Sequence, residues 1–303
     1  MEVSTNSEID SQSTIDSLSY INNLVVSAVN KGSYQIFVDS KYMNDSMMST
    51  LVNTYGYHVT KKTDNIGIYT TYIIDWENIP VPTSTLLLHL DSGDPLSYPG
   101  TGTTWTDLVG DKEFTLYNSP EYVGEFLSFN GTNQWASTPT SLPSLSNWTV
   151  EVWHYYTGNN TGDAPTIVSE SYLQGGSYGI NYVLGCSGFS PPNTTNLATS
   201  FYNGSWHYTN TGYSIDTINA WYHIVGSFDG TTLKLYVNGD LAQSQNVAGQ
   251  TSSSNESGIR LMRRWDGAEY WGGWLKSVKI YNGALSPSEV TSKFDNEKLS
   301  FGF

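Results

Sequence analysis

Cysteine is nearly missing from this chain: Cys186 is the only one. No intrachain disulfide can form, so a packed core has to supply the stability. The five histidines, at 58, 89, 154, 207 and 223, show no paired spacing of the zinc-binding kind. Positive charge is also scarce, with 13 Lys and Arg against 28 Asp and Glu and a formal net charge of -15. A field of that sign repels phosphate backbones and anionic membrane surfaces, which argues against nucleic acid as a partner. No run approaches the roughly 18 apolar residues of a membrane span, and the opening MEVSTNSEID is polar with no apolar stretch behind it. The expectation is a chain that inserts into no membrane and folds in a cytoplasm.

Nucleophile signatures are missing as well. There is no G-x-S-x-G elbow and no phosphate loop, and the paired glycines of YLQGGSYG (172–179) lack the strand, turn and helix around them that phosphate binding needs. Cys186 lies in a GCSG turn with no matching histidine pattern.

What the chain does have is aromatic and turn-forming residues, with 22 Tyr, 10 Trp and 28 Gly. Together with many Ser, Thr and Asn they favour a mainly β protein with many turns. The clearest strand is NWTVEVWHY (147–155), in which Val150 and Val152 point one way and Thr149, Glu151, Trp153 and Tyr155 the other. Bulky residues on both faces require cover on both, which predicts a central position in a sandwich. Further strand patterns fall at 85–91, 125–131, 133–139, 165–170, 177–184, 197–203, 220–230, 232–241, 258–262 and 274–281. Asp229-Gly230 and Asn238-Gly239 read as tight hairpin turns. Ser286-Pro287-Ser288-Glu289 reads as a capping box opening a short helix through Phe294, expected at the sandwich margin.

Ahead of this region, Ile15, Leu18, Ile21, Leu24, Val25, Ala28 and Val29 recur at helical spacing after Ser13, with Gly32 as the stop. A strand (33–40), a second helix from Asn44 or Asp45 to Tyr55, and a hairpin (57–63, 68–76) complete a small α+β unit over 1–80. The two prolines of ENIPVPTST (77–85) mark a semi-rigid connector.

Five ordered blocks, HLDSGDPLSYPGTGTTWTDLVG (89–110), LSFNGTNQWAS, NWTVEVWHY, WYHIVGSFDGTTLKLYVNGDL and LKSVKIYNGALSPSEV, resemble those of a concanavalin A-like laminin G domain from residue 85 to about 298, within a sandwich expected over 85–303. The resemblance implies a jelly-roll sandwich of two antiparallel sheets, glycan or protein binding through loops or a sheet face, and a structural calcium site. Asp91, Asp94 and Asp107 would supply that calcium, although Lys276 stands where an acidic residue often precedes the VKIYN strand. Relatives with the SYPGTGTTWTDL block include virion proteins of tailed phages and large aquatic viruses, in which a small module precedes the sandwich.

Glycosidases on this sandwich place two or three carboxylates at alternating positions of one strand, about 5 to 5.5 Å apart in retaining enzymes. Glu151 has no such companion, so it reads as a framework or ligand-contact residue and the chain as a non-enzyme. Sugar binding needs aromatic platforms beside polar groups. YNGSWHYTN (202–210) and RRWDGAEYWGGW (263–274) offer both, nominating Trp206, Tyr208, Arg263, Arg264, Trp265, Tyr270 and Trp271. Aromatic residues at a subunit interface look the same in sequence.

The resulting expectation is a non-enzymatic virion component such as a capsid decoration protein. It would be a homo-oligomer assembled in the host cytoplasm, with its N-terminal module on other virion proteins and its sandwich turned toward cell-surface glycans. The alternative is a cellular carbohydrate-binding or adhesion module, or an accessory domain of a glycan-degrading enzyme.

Overall fold

In a computed structural model of the chain, the residues described are 21, 35–39, 42–43, 48, 51, 58–63, 70–75, 84–143, 145–174, 177–186, 196–209, 213–252, 258–264, 266–267 and 269–303. The chain divides into two compact units, Met1–Pro82 and Thr83–Phe303.

In the first unit β1 (Gln35–Asp39), β2 (His58–Thr63) and β3 (Thr70–Asp75) form an antiparallel sheet in the order β1-β3-β2. Period-2 alternation turns Ile36 and Val38 inward, where they meet Tyr72, Ile74, Met43 and the helical residues Ile21 and Leu51. Apart from Ile21, Met48 and Leu51, the two helices expected here lie outside the described residues, as do the 64–67 turn and most of the proline connector.

The second unit is a sandwich. Its strands are β4 (Thr85–Asp91), β5 (Thr104–Thr106), β6 (Glu113–Tyr117), β7 (Glu121–Val123), β8 (Phe126–Asn130), β9 (Trp135–Thr138), β10 (Trp148–Tyr156), β11 (Thr166–Gln174) and β12 (Ser177–Cys186). They continue as β13 (Asn196–Tyr202), β14 (Trp206–Tyr208), β15 (Tyr213–Ser214), β16 (Ala220–Phe228), β17 (Thr232–Val237), β18 (Asp240–Asn246), β19 (Ile259–Leu261) and β20 (Gly272–Asn282). Sheet I runs β18-β17-β16-β10-β20-β8-β7, with β4 also paired to β20. Sheet II runs β14-β13-β12-β11-β19-β9-β6-β5, with β15 beside β13. All strand pairs are antiparallel.

The inner faces of the two sheets share one core, to which β10 contributes Trp148, Val150, Val152 and Tyr156. As its two-faced composition predicts, β10 is central, held between β16 and β20. Cover for its outer face comes from α1 (Pro287–Glu297), whose N-cap Ser286 and N3 Glu289 complete the expected capping box. Sequence placed this helix at the sandwich margin; it lies instead across sheet I. Val290 packs there with Val225, Tyr236, Tyr281 and Leu285 in a second small core, because burying this apolar residue needs a sheet face rather than an edge.

Both predicted hairpins form. Asn238 (φ 52°) and Gly239 (φ 84°) take the two positive φ values of a tight turn between β17 and β18. Gly239 is required twice over, since a Cβ there would stand 2.9 Å from the Phe294 ring. Between β16 and β17, Asp229 Oδ1 accepts from the amides of Thr231 (3.0 Å) and Thr232 (2.8 Å). Strands β5, β7, β14 and β15 have no counterpart among the expected strands, being too short to show a period; β6 has none either, although Phe114 and Leu116 alternate into the core, and β18 was implied only as the far arm of the Asn238-Gly239 hairpin.

Candidate functional site: an aromatic and guanidinium ridge on sheet II

Glu151, the strand's lone carboxylate, is completely buried. Its Oε1 lies 3.2 Å from His223 Nε2, and its Oε2 accepts from the Tyr281 hydroxyl at 2.7 Å. The ammonium groups of Lys279 (3.6 Å) and Lys293 (3.8 Å) complete the cluster, and Lys279 also binds Glu297 of α1 at 2.8 Å. Burial pushes the Glu151 carboxyl upward. The Lys279 charge, the His223 hydrogen bond and the Lys293 charge pull it down further, so the net direction is well below the ordinary carboxylate value. Sealed under α1 and held as a carboxylate to well below the ordinary range, Glu151 anchors the helix to the sheet.

The three aspartates proposed for calcium do not fit a calcium shell. Asp107 spends Oδ1 on the amides of His89 and Val109 and Oδ2 on that of Gly110. Asp94 accepts from Leu96, while Asp91 accepts from Gly93 and holds the Lys276 ammonium at 3.0 Å. These are loop-closing aspartates. Among the described residues no three His, Cys, Asp or Glu converge as a metal site, and six to eight free oxygens are what calcium requires. We expect the melting temperature to be the same with calcium and with a chelator, within about 1 °C; a calcium-dependent rise of several degrees would contradict this reading.

The nominated aromatic and arginine residues separate. Arg263 and Tyr270 face each other across an isolated antiparallel bridge. The Arg263 guanidinium lies 4.4 Å from the Trp135 ring centre and 5.4 Å from that of Tyr270. Trp135 in turn stacks on Tyr117 at 4.1 Å with the planes 8° apart. Tyr117, Trp135, Arg263 and Tyr270 thus form one continuous ridge on the outer face of sheet II, and Tyr117 at its end is 38% exposed. Arg263 is fixed by donating from Nε (3.0 Å) and Nη2 (2.6 Å) to the Gly267 carbonyl. Gly267 has φ 87°, which supplies the turn that brings this carbonyl back. The loop is tied down by Tyr270 N donating to Thr161 Oγ1 and Thr161 N to the Tyr270 carbonyl.

Arg264 pairs with Asp266 at 2.9 Å and with Glu269, and so braces the loop. Trp271 does not reach the ridge. It is fully buried and donates its Nε1 hydrogen to His154 Nε2 at 2.8 Å, because the chain turns inward between Tyr270 and β20. Trp206 and Tyr208 stand on edge strand β14, with β13, β12, β11 and β19 between them and β9. Trp265 lies outside the described residues. Tyr117 and Trp135 were missed by sequence reasoning, since only the non-sequential pairing of β9 with β19 and β6 brings them to Arg263.

A second aromatic surface occupies the outer face of sheet I. Tyr155 stacks on Trp274 at 4.4 Å, Phe126 and Trp221 flank them, and Phe301 bridges Trp221 (4.8 Å) and Trp153 (3.9 Å). No guanidinium is available there, because every arginine of the chain lies within 260–264.

Two antiparallel sheets closed over one core define a lectin-like sandwich. The chain belongs to the family described as Concanavalin A-like lectin/glucanases superfamily, which matches residues 130–291. No curated protein matched in sequence. Among solved structures it is similar to domain 4 of AbnA, a GH43 extracellular arabinanase from Geobacillus stearothermophilus, in complex with arabinotriose. That likeness has a TM-score of 0.50 and 20% identity, covering 69% of this chain and 98% of that one. It is also similar to Trypanosoma rangeli sialidase in complex with sialic acid (TM-score 0.51, 14% identity, 82% of this chain and 43% of that one). A third is the botulinum neurotoxin serotype D binding domain (TM-score 0.52, 14% identity, 71% and 52%). The chain therefore spans about half or less of the sialidase and toxin chains. At these identities the likeness shows the fold, one that enzymes and binding domains both use.

Proposed function

We propose that the sandwich binds glycans without altering them, through the ridge of Tyr117, Trp135, Arg263 and Tyr270, and that the chain is a surface-exposed virion component. The observation that carries the glycan reading is the ridge itself: a ring stack ending in the exposed Tyr117, with an immobilised guanidinium packed on the other side of Trp135, sets an apolar surface and directed donors side by side, as sugars require. The non-enzymatic reading is supported by Glu151, which has no companion carboxylate on its strand and is sealed beneath α1. The virion reading is supported by the separate N-terminal unit and by the SYPGTGTTWTDL block.

A glycan array probed with the full chain is the test. Binding is expected, with Trp135→Ala weakening it about tenfold, or ~1.4 kcal/mol, while its melting curve remains cooperative. A blank array, or full binding by Trp135→Ala, refutes the ridge. For the virion reading, antibody labelling of purified particles should find the chain on their surface.

The 98% coverage of the arabinanase domain favours a second reading, an accessory module of a glycan-degrading enzyme. Array signals confined to arabinan fragments, with no chain on any particle, would establish it.

A further inference from the structure

The chain has 28 carboxylates and only three arginines, and all three arginines fall within five residues, Arg260, Arg263 and Arg264. Arg264 alone is paired with carboxylates, taking both Asp266 and Glu269. Arg260 and Arg263 are each half-buried, yet among the described residues neither has a carboxylate within ion-pair distance. Arg260 Nη1 donates to the Ser171 hydroxyl at 3.0 Å, and Arg263 donates to the Gly267 carbonyl.

Both acceptors are neutral, so two partly desolvated positive charges stand near one another with no ion-pair partner among the described residues, in a protein of net charge -15. Their proximity shows in Arg260, whose guanidinium is lowered first by burial and then by the Arg263 charge, against a pull from Asp266. Arg260 projects from the outer face of sheet II in register between Ser137 of β9 and Ser169 of β11. Trp135, two residues before Ser137 on the same face, carries the Arg263 guanidinium.

From this arrangement we infer that Arg260 and Arg263 form a carboxylate-binding subsite, and that the glycan taken by the ridge is an acidic one, carrying a carboxylate sugar. The inference rests on the glycan reading above and adds to it the class of sugar. A planar carboxylate matches the guanidinium fork in two parallel hydrogen bonds, and it supplies at contact distance the counter-charge that no described side chain supplies there. The surrounding negative field repels acidic ligands at long range, so recognition has to come from short-range contact at these two side chains.

The test is an array in which each uronate- or sialate-bearing glycan stands beside its carboxyl-reduced counterpart, probed with the full chain, Arg260→Gln and Arg260→Lys. The wild type should bind the acidic member of at least one pair tenfold or more above its reduced partner. Arg260→Gln should bring the acidic member down to the reduced one, leaving the reduced one within about twofold. Arg260→Lys, which keeps the charge and loses the fork, should fall between. Equal binding within every pair, or an acidic preference untouched by both variants, overturns the carboxylate subsite while leaving the ridge intact. A stronger preference for sulfated than for carboxylated glycans overturns it as well. An array blank for both members of every pair overturns the glycan reading and this inference with it.

Discussion

Glu151→Gln is expected to destabilise the sandwich by ~3 to 5 kcal/mol, the usual consequence of removing one partner from a buried ion cluster. For a unit of this size that lowers the melting temperature by on the order of 10 °C. The glutamine retains hydrogen-bonding capacity toward Tyr281 and His223 but leaves Lys279 and Lys293 beside a neutral group. Much of the cost is the lost counter-charge of buried Lys279, which then retains Glu297, so Glu151→Leu combined with Lys279→Met should be less damaging than Glu151→Gln alone. Urea unfolding of the three proteins decides it. A loss under 1 kcal/mol for Glu151→Gln, with no recovery in the double variant, would mean that the cluster is not what holds α1 down.

The second large effect is on the pH profile, where two buried groups act in opposite directions. His154 is locked neutral. The indole of Trp271 can only donate, so His154 Nε2 is the acceptor and Nδ1 carries the hydrogen it gives to the Trp274 carbonyl at 3.0 Å. Burial, partly offset by that hydrogen bond, lowers its pKa from 6.5 to about 3. The unfolded chain therefore takes up the proton first, and stability is lost as pH falls from 6.5 toward 3, by ~1.4 kcal/mol per unit.

Glu170 is the reverse. Burial raises it from 4.5 to about 7, against the hydrogen bonds from Asn181 and the Leu142 amide. Its contribution is complete below 4.5 and lost as pH rises through 7. Between 4.5 and 6.5 the two slopes oppose each other, while His89, whose pKa burial also lowers, adds a smaller loss on acidification, so the wild type should show a near-plateau that tilts down toward acid. Below 4.5 the decline should steepen, because the unfolded chain also begins to protonate Glu151. Glu170→Gln should remove the plateau. We expect it to be about 3 kcal/mol more stable than wild type above pH 7.5 and to lose ~1.4 kcal/mol per unit on acidification from 6.5. Denaturant midpoints taken across pH 4 to 8 would show this, and a wild-type profile as steep between 4.5 and 6.5 as that of Glu170→Gln would refute the assignment.

The framework was largely legible in the sequence because it depends on local rules. Val150 and Val152 declare their face by alternation, Asn238-Gly239 declares its turn by the positive φ that both residues take, and Ser286 with Glu289 declares the helix start. The ridge was only half legible. Arg263 and Tyr270 stand in one loop and were found together, whereas Trp135 and Tyr117 join them through strand neighbours that alternation does not specify. Trp271 was misplaced for a related reason: its loop is rich in glycine and aromatic residues, and nothing local distinguishes the ring turned into the core. The aspartates were ambiguous because a carboxylate that caps a turn and one that waits for a cation have the same sequence neighbourhood. Their backbone partners become visible only once the loop has closed.

The place of β20 in sheet I has a consequence in time. It runs through the middle of the sheet, with β10 on one side and β4 and β8 on the other, and it joins Asp91 to Ser277. A polypeptide emerging from the ribosome delivers β4, β8 and β10 long before the strand that unites them. Until residues 272–282 arrive, three strands present unpaired backbone edges. Closing loops of that length is slow, so sheet I should consolidate only after synthesis has passed β20, and the waiting intermediate is the species most exposed to mispairing with a second copy.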